Sequence, residues 1–489
     1  MRITIIGAFD HSDFKGIALS DSCSDYDFFR YILRDGDGFV DILDRYKKRM
    51  SVSTPRHTYN NGIVLFNYFF NKGCDTYLIN CMSELDDEDM KRINETDIFL
   101  VSTVYTGKGD PLVNIDKVVN FLKSMNPQAK IILGGWTLFN KIMYDKKRRN
   151  EYYENLKKQG VDVVLVSRMG LDLIWDAINN GFRGVIIDKK EYPPSEPELY
   201  SVKNLPVKIQ PKHMVITTAN GCPFKCNFCA HKTLHNSVTY YDQDYLRKIF
   251  DVVTEDRKNK LVHLLFGDDS LNFPYDRMIR ICDMISETDA NFGWSCFFRI
   301  GNVDENMVQH MKRSGCKFVS IGMESGDPDI RKNMNKLYSN EDLENTISLL
   351  KKYGIVSIVS LIVGYYGETW DSIENTRKVL ERIRPDLVRI NIWNPRPDES
   401  ESEIAKKYGF SCHKSGWSHN TMSVDESYRC AAYLYSNTEN VIFSPPLTSV
   451  FDTWTWFFSE GMAKEEILKE FRDYYTESLA KNGIAKRFA

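Results

Sequence analysis

The first 187 residues alternate short apolar runs with polar stretches of helical periodicity. Five apolar runs predict β-strands, and these are Arg2–Ile6, Thr76–Asn80, Asp97–Val101, Lys130–Leu133 and Asp162–Val166. Between the third and fourth runs, Ile115, Val118, Val119 and Leu122 follow the spacing of one helix face. This alternation predicts a doubly wound, Rossmann-like parallel sheet with helices on both faces, and ligands of such sheets bind beyond the carboxyl ends of the strands.

A polar segment with five prolines, residues 188–212, predicts an extended linker. The alternation then resumes over 213–398. Strands are predicted at His213–Thr218, Val262–Phe266, Gly293–Phe298, Phe318–Gly322, Val356–Leu361 and Val388–Ile392. Helices are predicted at 242–257, 275–287, 304–314, 340–353 and 370–384. Six β/α units are two fewer than a complete eightfold barrel has, so this α/β region is predicted to be a partial (β/α)6 barrel.

The last segment, 399–489, is rich in aromatic residues and ends in a helical pattern over 464–481. We expect a small, mainly helical C-terminal cap, whose aromatic residues form its core rather than contact a cofactor.

Composition narrows the function. The net charge is -3, and the basic runs at 47–49 and 146–149 are interpreted as solvated faces, which argues against a nucleic-acid partner. No run of 18 apolar residues predicts a membrane span, and the N-terminus is typical of a strand rather than a signal peptide. We therefore expect a cytoplasmic protein, in which clustered cysteines indicate metal binding rather than disulfides.

Three of the 11 cysteines form one motif. Cys222, Cys226 and Cys229 have the spacing C-x3-C-x2-C directly after a predicted strand. Three thiolates at this spacing can bind three irons of a four-iron–four-sulfur cluster and leave the fourth iron open to a ligand. A structural zinc site needs four closed ligands, which His231 or His235 would complete, and this is the less favoured alternative.

The region 213–395 resembles the radical S-adenosylmethionine (AdoMet) superfamily, in which AdoMet chelates the open iron. The resemblance places Phe228 near the adenine. It also places Gly267, Asp268 and Asp269 where the family binds the AdoMet amino group, although the usual glycine pair before a glutamate is altered. Glu324, in Ile321–Gly326, matches a glutamate that meets polar AdoMet atoms. Gly364–Thr369 matches a family turn, with tyrosine in place of proline.

Arg299 follows the third predicted barrel strand. At the carboxyl end of a barrel strand, it could hold the AdoMet carboxylate or a substrate anion, or pair with a structural acid.

The first domain resembles the cobalamin-binding domain of one radical AdoMet class. The matching runs are Asn61–Tyr68, Val101–Thr103 with Ser102 and Thr103 at a strand end, and Asn126–Gly135 with Gly134 and Gly135. Small residues at strand ends let a flat corrin approach the backbone, and hydroxyls there can bind its amides.

Two departures from this class were found. The turn after the fifth strand reads Ser167-Arg168-Met169-Gly170, and Gly170 is retained as a candidate cofactor contact. The loop after the first strand lacks D-x-H-x-x-G, so His11 is not expected to ligate cobalt from below. Cys23, Cys74 and Cys81 leave open a methylthiotransferase, whose N-terminal domain holds a second cluster.

The resemblance implies a cobalamin-dependent radical AdoMet methyltransferase. Its cofactors would be a [4Fe-4S] cluster, AdoMet and cobalamin, and its partners a small-molecule or peptide substrate and an electron donor such as flavodoxin or ferredoxin. Methyl transfer would occur at an unactivated carbon or phosphorus centre, and Trp417–Met422 resembles the P-methyltransferases of phosphinate pathways. The alternatives are a cyclisation or rearrangement without methyl transfer, and a non-catalytic iron–sulfur or RNA-binding module.

Overall fold

The structure is a computed structural model. It describes residues 1–9, 60–82, 85–103, 111–135, 146–167, 170–188, 196–206, 209, 211–229, 238–256, 262–288, 292–395, 399–413, 416–444, 454, 457–458 and 461–482. His11, Arg168, Met169, His231, His235 and the basic run at 47–49 lie outside the described residues.

The first sheet has six strands in the order β2-β1-β3-β4-β5-β6, all paired in parallel. Its elements are β1 Arg2–Ile6, α1 Asn60–Asn71, β2 Asp75–Ile79, α2 Asp87–Glu95, β3 Ile98–Ser102, α3 Pro111–Met125, β4 Lys130–Gly134, α4 Lys146–Lys158, β5 Val163–Val166, α5 Leu171–Asn179 and β6 Gly184–Ile187. The order confirms the predicted Rossmann-like fold and places the topological switch point between β1 and β3. The pattern missed β6, because only three apolar residues follow Gly184 before the linker.

The second sheet has six strands in the order β14-β13-β12-β11-β10-β7, and the pairings from β10 to β14 are parallel. The elements of this region are β7 His213–Ile216, β8 Ala219–Asn220, β9 Thr239–Tyr240, α6 Gln243–Asp256, β10 His263–Phe266, α7 Tyr275–Glu287, β11 Gly293–Phe298, α8 Glu305–Arg313, β12 Cys316–Glu324, α9 Pro328–Asn333, α10 Asn340–Lys352, β13 Val356–Val363, α11 Trp370–Ile383 and β14 Leu387–Ile392. The short strands β8 and β9 pair with each other in a separate antiparallel sheet. The predicted six-stranded partial barrel is therefore confirmed.

Capping side chains fix where the barrel helices begin. Ser339 and Asp342 form a reciprocal capping box at α10, and Thr369 and Ser372 form another at α11. The Asp304 carboxylate accepts from the Met307 N–H at α8. These caps terminate the preceding loops, so the loop lengths between strand ends and helices follow from local sequence.

The C-terminal segment is mainly helical, as predicted, and it also contains a small sheet. Its elements are α12 Glu403–Lys407, β15 Ser411–His413, β16 Gly416–His419, β17 Met422–Ser423, α13 Val424–Asn437 and α14 Lys464–Asn482. The antiparallel sheet β15-β16-β17 was not predicted, since its strands have two to four residues. Its aromatic residues Trp417 and Tyr428 are buried, as predicted for core residues.

The last helix closes the amino-terminal end of the barrel. Trp454, Phe457 and Phe471 pack in one cluster with side chains near the starts of the strands, among them Phe318, Ile358 and Leu387. That cluster joins residues of β10, β12, β13 and β14 with the C-terminal segment and includes no described residue of the barrel helices α6–α11. Since those helices cover the outer face of a barrel sheet, the cluster lies on the concave side. We call this cluster the barrel floor.

Contacts divide the chain into two compact units. Among the described residues, the first unit extends to Met214 and also includes α6 from Arg247 onward. The second unit contains the rest of the barrel and the C-terminal segment.

The described part of the linker is not simply extended. Its 3-10 turn, Pro197–Tyr200, lies in the first unit, where Asn67 Nδ2 of α1 donates to the carbonyls of Leu199 and Ser201. Among the described helices, none is both long and apolar enough to cross a membrane.

Candidate active site

The cysteine motif lies in the loop after β7, where it was predicted. Cys226 is buried and Cys222 and Cys229 are partly exposed, and all three are free thiols. Burial raises the pKa of Cys222, the Phe224 N–H opposes this, and Asp269, Cys226 and Cys229 nearby raise it further. Three thiols within eight residues, Cys222 to Cys229, at the carboxyl end of a barrel strand fit the ligand set of an open cluster.

Hydrogen bonds from the end of α9 hold this loop in place. The Asn227 N–H donates to the Met334 carbonyl at 2.8 Å, and Asn227 Nδ2 donates to the Asn333 carbonyl at 2.8 Å. Asn335 Nδ2 donates to the Lys225 carbonyl at 2.8 Å. The sequence analysis missed this contact, because residues more than 100 positions apart meet only after the barrel has formed.

Arg299, at the end of β11, points to the same loop. Its Nη1 lies 3.4 Å from Cys226 Sγ, and its guanidinium carbon lies 3.7 Å from the centre of the Phe224 ring. The buried Asn272 fixes the Arg299 backbone through hydrogen bonds of 2.7 and 2.9 Å. These contacts place Arg299 beside the cluster loop, and the choice between an anion site and a structural ion pair stays a prediction.

The loop after β10 separates two acids that the sequence grouped together. Asp268 is buried, and its oxygens accept from the Thr218 N–H at 3.0 Å and Thr218 Oγ1 at 2.8 Å. Arg277 pairs with it at 3.2 Å. Burial raises the pKa of Asp268, and Arg277 and Thr218 counteract this rise. Asp268 therefore secures the chain before the cluster loop, and its role as an AdoMet contact stays a prediction.

Gly267 and Asp269 remain as candidates beside Asp268. A Cβ on Gly267 would lie 3.1 Å from Val215 Cγ1, so the close approach of β7 favours glycine here. Asp269 is partly exposed and lies near Cys222. Of the two acids, Asp269 is the less buried and the one whose charge acts on Cys222, so it stays the acidic candidate for the AdoMet site.

Glu324 ends β12 in the left-handed region, with φ +64. Such backbone is strained for glutamate and persists where the surroundings enforce it. Its Oε1 accepts from Lys336 Nζ at 2.6 Å, and both side chains are buried. Lys336 Nζ also lies 5.9 Å from the centre of the Phe228 ring. Glu324, Lys336 and Phe228 thus form one group, of which the sequence analysis missed Lys336.

The Gly364–Thr369 turn supports this group from the next strand. The Phe228 and Tyr365 rings meet edge to face at 6.4 Å. Glu368 is buried and accepts from the Gly364 N–H. Burial raises the pKa of Glu368 to about 8, although the N–H groups of Gly364 and Tyr365 oppose this. Asn333 Nδ2 donates to the Tyr366 carbonyl at 2.9 Å, which joins the turn to α9.

A second set of small and hydroxyl residues lies at the carboxyl edge of the first sheet. Ser102 of β3 pairs with Gly134 of β4, and Ser102 Oγ accepts from Asn61 Nδ2 at 2.9 Å. The Thr103 N–H donates to the Gly134 carbonyl at 2.7 Å. Gly135 has φ +125, so a side chain there would strain the backbone. The structure therefore brings the four candidates together.

The end of β5 adds a buried hydroxyl to this edge. Ser167 Oγ is inaccessible to solvent and makes no hydrogen bond with any described residue. A Cβ on Gly170 would lie 3.0 Å from that oxygen, so the glycine leaves space beside it. A buried hydroxyl without a partner is destabilising, so Ser167 Oγ is a candidate group for binding a ligand amide.

Cys74 and Cys81 do not share a site. They flank β2, Asp75–Ile79, and the six residues between them, mostly extended, separate them by about 20 Å. Both are buried, and burial raises the pKa of Cys74. These two thiols cannot ligate one cluster together, and Cys23 lies outside the described residues.

Comparison with known proteins relates the barrel to one superfamily. Residues 216–380 match the sequence model of the Radical SAM superfamily. An uncharacterized methyltransferase of Pyrococcus horikoshii is 26% identical over 183 residues, which is 37% of this chain and 40% of that protein. The chain spans 40% and 32% of the first two curated relatives it matches, so the similarity covers one part of them.

Two solved structures share the fold of most of the chain. The methyltransferase TsrM of Kitasatospora setae, with cobalamin and a [4Fe-4S] cluster bound, has TM-score 0.55 and 13% identity and covers 80% of this chain and 74% of its own. OxsB, a cobalamin-dependent radical enzyme with aqua-cobalamin and S-adenosylmethionine bound, has TM-score 0.55 and 14% identity, covering 98% and 71%. Both confirm a Rossmann-like sheet followed by a radical SAM barrel.

Proposed function

We propose that this protein, whose residues 216–380 form a radical SAM domain, is a cobalamin-dependent radical AdoMet methyltransferase. The observation that carries the proposal is the pairing of two sites in one chain. The cysteine loop stands at the carboxyl ends of the barrel strands, and an edge of small and hydroxyl residues stands at the carboxyl ends of the first sheet.

The residues at the barrel mouth have distinct tasks in this proposal. Cys222, Cys226 and Cys229 bind three irons, and Arg299 donates to the Cys226 sulfur. Asp269, Glu324 and Lys336 offer charged groups to the polar parts of AdoMet, beside the Phe228 ring. When bound, the cluster supplies the electron that cleaves AdoMet, and cobalamin supplies the methyl group. The chain orients these groups and excludes water.

The first sheet fits cobalamin by its surface rather than by a ligand to the metal. Gly134 and Gly135 expose backbone at the end of β4, and Ser102 and Ser167 place hydroxyls on either side of it. A flat corrin with peripheral amides needs close approach and such hydroxyl groups. The cobalamin described in TsrM and OxsB supports the same assignment.

A radical reaction without methyl transfer is the second candidate. OxsB is described as a cobalamin-dependent radical enzyme, and its fold matches this chain over 98% of the length. Whether the product gains a methyl group separates the two candidates. The substrate, a small molecule or peptide, and an electron donor such as flavodoxin or ferredoxin complete the proposal.

Anaerobic reconstitution tests it. Reduced protein should bind about four irons and convert AdoMet to 5′-deoxyadenosine. Replacement of Cys222, Cys226 or Cys229 with alanine should abolish this conversion. Cys282 and Cys316, both buried in the barrel wall, provide matched controls whose replacement should retain it. Iron and activity retained in the triple motif variant would refute the proposal.

A further inference from the structure

Arg389 lies inside the barrel, two residues further along β14 than Leu387, which belongs to the barrel floor. It stands in the middle of β14, paired with Ser360 of β13, which in turn pairs with Gly322 of β12. Side chains alternate along a strand, so Arg389 faces the same side as Leu387, two residues earlier. Leu387 packs against Trp454 in the barrel floor, and this direction is the concave side of the sheet.

No described residue neutralises Arg389. Its Nε is buried without a hydrogen-bond partner, and no ion pair or hydrogen bond of its guanidinium joins it to the described part of the chain. Other shielded arginines of the barrel have partners. Arg277 pairs with Asp268, Arg331 donates to the Ser325 carbonyl, and Arg377 pairs with Glu374. A partly buried charge without a partner is unfavourable, so the fold tolerates Arg389 at a cost in stability.

The space beside Arg389 is lined by small groups. Ser360 of β13 is the paired neighbour of Arg389, and Gly322 of β12 is the paired neighbour of Ser360. A Cβ on Gly322 would collide with the Glu324 carboxylate and the Lys336 ammonium. The Glu324–Lys336 pair therefore stands over Gly322, two strands away from Arg389. On β14 itself, Asn391 Nδ2 donates to the Leu361 carbonyl at 3.0 Å and so keeps to the wall.

We propose that Arg389 is the substrate-anchoring residue and that the substrate carries an oxyanion, either a carboxylate or a phosphorus oxyacid. A guanidinium binds both groups through two parallel hydrogen bonds. The anion would sit at the floor, and the reacting end of the substrate would extend toward the cluster loop. This inference rests on the proposed function, because it assigns a substrate to the same barrel.

Ligand-dependent thermal unfolding of the anaerobically reconstituted protein tests this anchor. The probes are acetate and inorganic phosphate, with acetamide as the uncharged analogue and ionic strength held constant with sodium chloride. An anion that binds only the folded protein raises its Tm in a saturable way. We expect acetate or phosphate to do so, and acetamide not to; the anion with the stronger response identifies the oxyacid class.

Two variants complete the experiment. Arg389→Met should weaken the anion response roughly tenfold or more, since it removes both donors. Its Tm without ligand should rise, because an unpaired charge has been removed. Arg382→Gln, an exposed α11 arginine that pairs with Glu344 at 3.4 Å, is the matched control and should keep the response. Arg389→Lys, which keeps the charge but not the planar fork, should respond more weakly than the wild type.

Three outcomes would overturn the proposal. They are equal anion responses of wild type and Arg389→Met, no response of the wild type to either anion, and loss of AdoMet binding in Arg389→Met by equilibrium dialysis. The last would assign Arg389 to AdoMet. Failure of the proposed function would show itself separately, as no AdoMet cleavage by the reconstituted wild type, and would leave the anion titration interpretable.

Discussion

Arg299 Nη1 lies 3.4 Å from Cys226 Sγ, so a positively charged side chain directly contacts one of the predicted cluster ligands. The potential of an iron–sulfur cluster depends on net charge and on hydrogen bonds to its sulfurs. A cation that donates to a ligand sulfur stabilises the reduced, more negative state. Arg299 should therefore raise the reduction potential, which eases electron entry.

Replacement of Arg299 with glutamine should lower that potential. A hydrogen bond to a charged group contributes about 1.5 kcal/mol, which corresponds to roughly 60 mV for one electron. Potentiometric titration followed by electron paramagnetic resonance measures the change. Lys225→Gln, which removes an exposed charge from the same loop, should shift the potential less because water screens it. An unchanged potential in Arg299→Gln would mean that the contact does not tune the cluster.

The Glu324–Lys336 pair leads to a double-mutant prediction. Both side chains are buried and 2.6 Å apart, so Lys336→Met leaves an uncompensated carboxylate. Removal of one partner of such a pair costs about 3 kcal/mol of unfolding free energy. The double variant Glu324→Gln/Lys336→Met should be more stable than Lys336→Met alone, as measured by urea unfolding. Additive losses would show that the two groups are not coupled.

Glu368 predicts how stability depends on pH. Burial raises its pKa from 4.5 to about 8, so between these values the folded protein holds a proton that the unfolded chain has released. Stability is then greatest below pH 4.5 and falls as the pH rises through about 8. The wild type should lose a few kcal/mol of unfolding free energy between pH 5 and 8, and Glu368→Gln should not show this loss in urea unfolding.

Glu305→Gln is the matched control for this series. Lys352 and Tyr353 lower the pKa of the exposed Glu305, so it is charged in both states throughout the range from pH 5 to 8. Its replacement should leave the slope of stability against pH unchanged. If Glu368→Gln keeps the wild-type slope, another group titrates in this window.

The sequence predicted the barrel strands and helices because their apolar residues repeat with a clear period. It also placed the cysteine loop, since spacing alone defines that motif. Arg389 could not be found this way. In the run Val388-Arg389-Ile390-Asn391-Ile392 the polar residues alternate as on a solvent-exposed strand face. Only the curvature of the sheet and the floor formed by α14 turn that face into an interior.

Lys336 and Asn272 illustrate a second limit. Each lies in a polar stretch without periodicity. Lys336 acquires its role by pairing with Glu324, and Asn272 acquires its role by binding the backbone of Arg299 in a neighbouring loop. Asp268 shows the converse. Its place in a family motif predicted a cofactor contact, whereas Thr218 and Arg277 already engage both of its oxygens. The roles of the remaining site residues stay predictions.

Gly134 offers a direct test of the cobalamin edge. A Cβ there would lie 3.6 Å from the Leu165 carbonyl, which is ordinary contact, so the fold accepts alanine. Gly134→Leu should abolish cobalamin binding by occupying the edge, whereas Gly134→Ala should largely retain it. Absorbance of the bound corrinoid after reconstitution measures both. Gly135 is less suitable, because its φ of +125 makes any side chain strain the backbone. Normal cobalamin content in the leucine variant would place the corrin elsewhere.

Ser167→Ala separates ligand binding from folding at the same edge. Because Ser167 Oγ is buried and has no partner among the described residues, its removal should leave the unfolding free energy of the cobalamin-free protein unchanged or slightly higher. If that hydroxyl binds a corrin amide, its loss should weaken cobalamin binding by about 1 kcal/mol, roughly fivefold in Kd. Equilibrium dialysis with hydroxocobalamin and urea unfolding measure the two quantities.

Ser124→Ala, an exposed α3 serine whose hydroxyl donates to the Phe121 carbonyl, is the control that should keep the wild-type Kd. A destabilised Ser167→Ala protein with unchanged affinity would show that the hydroxyl serves the fold instead.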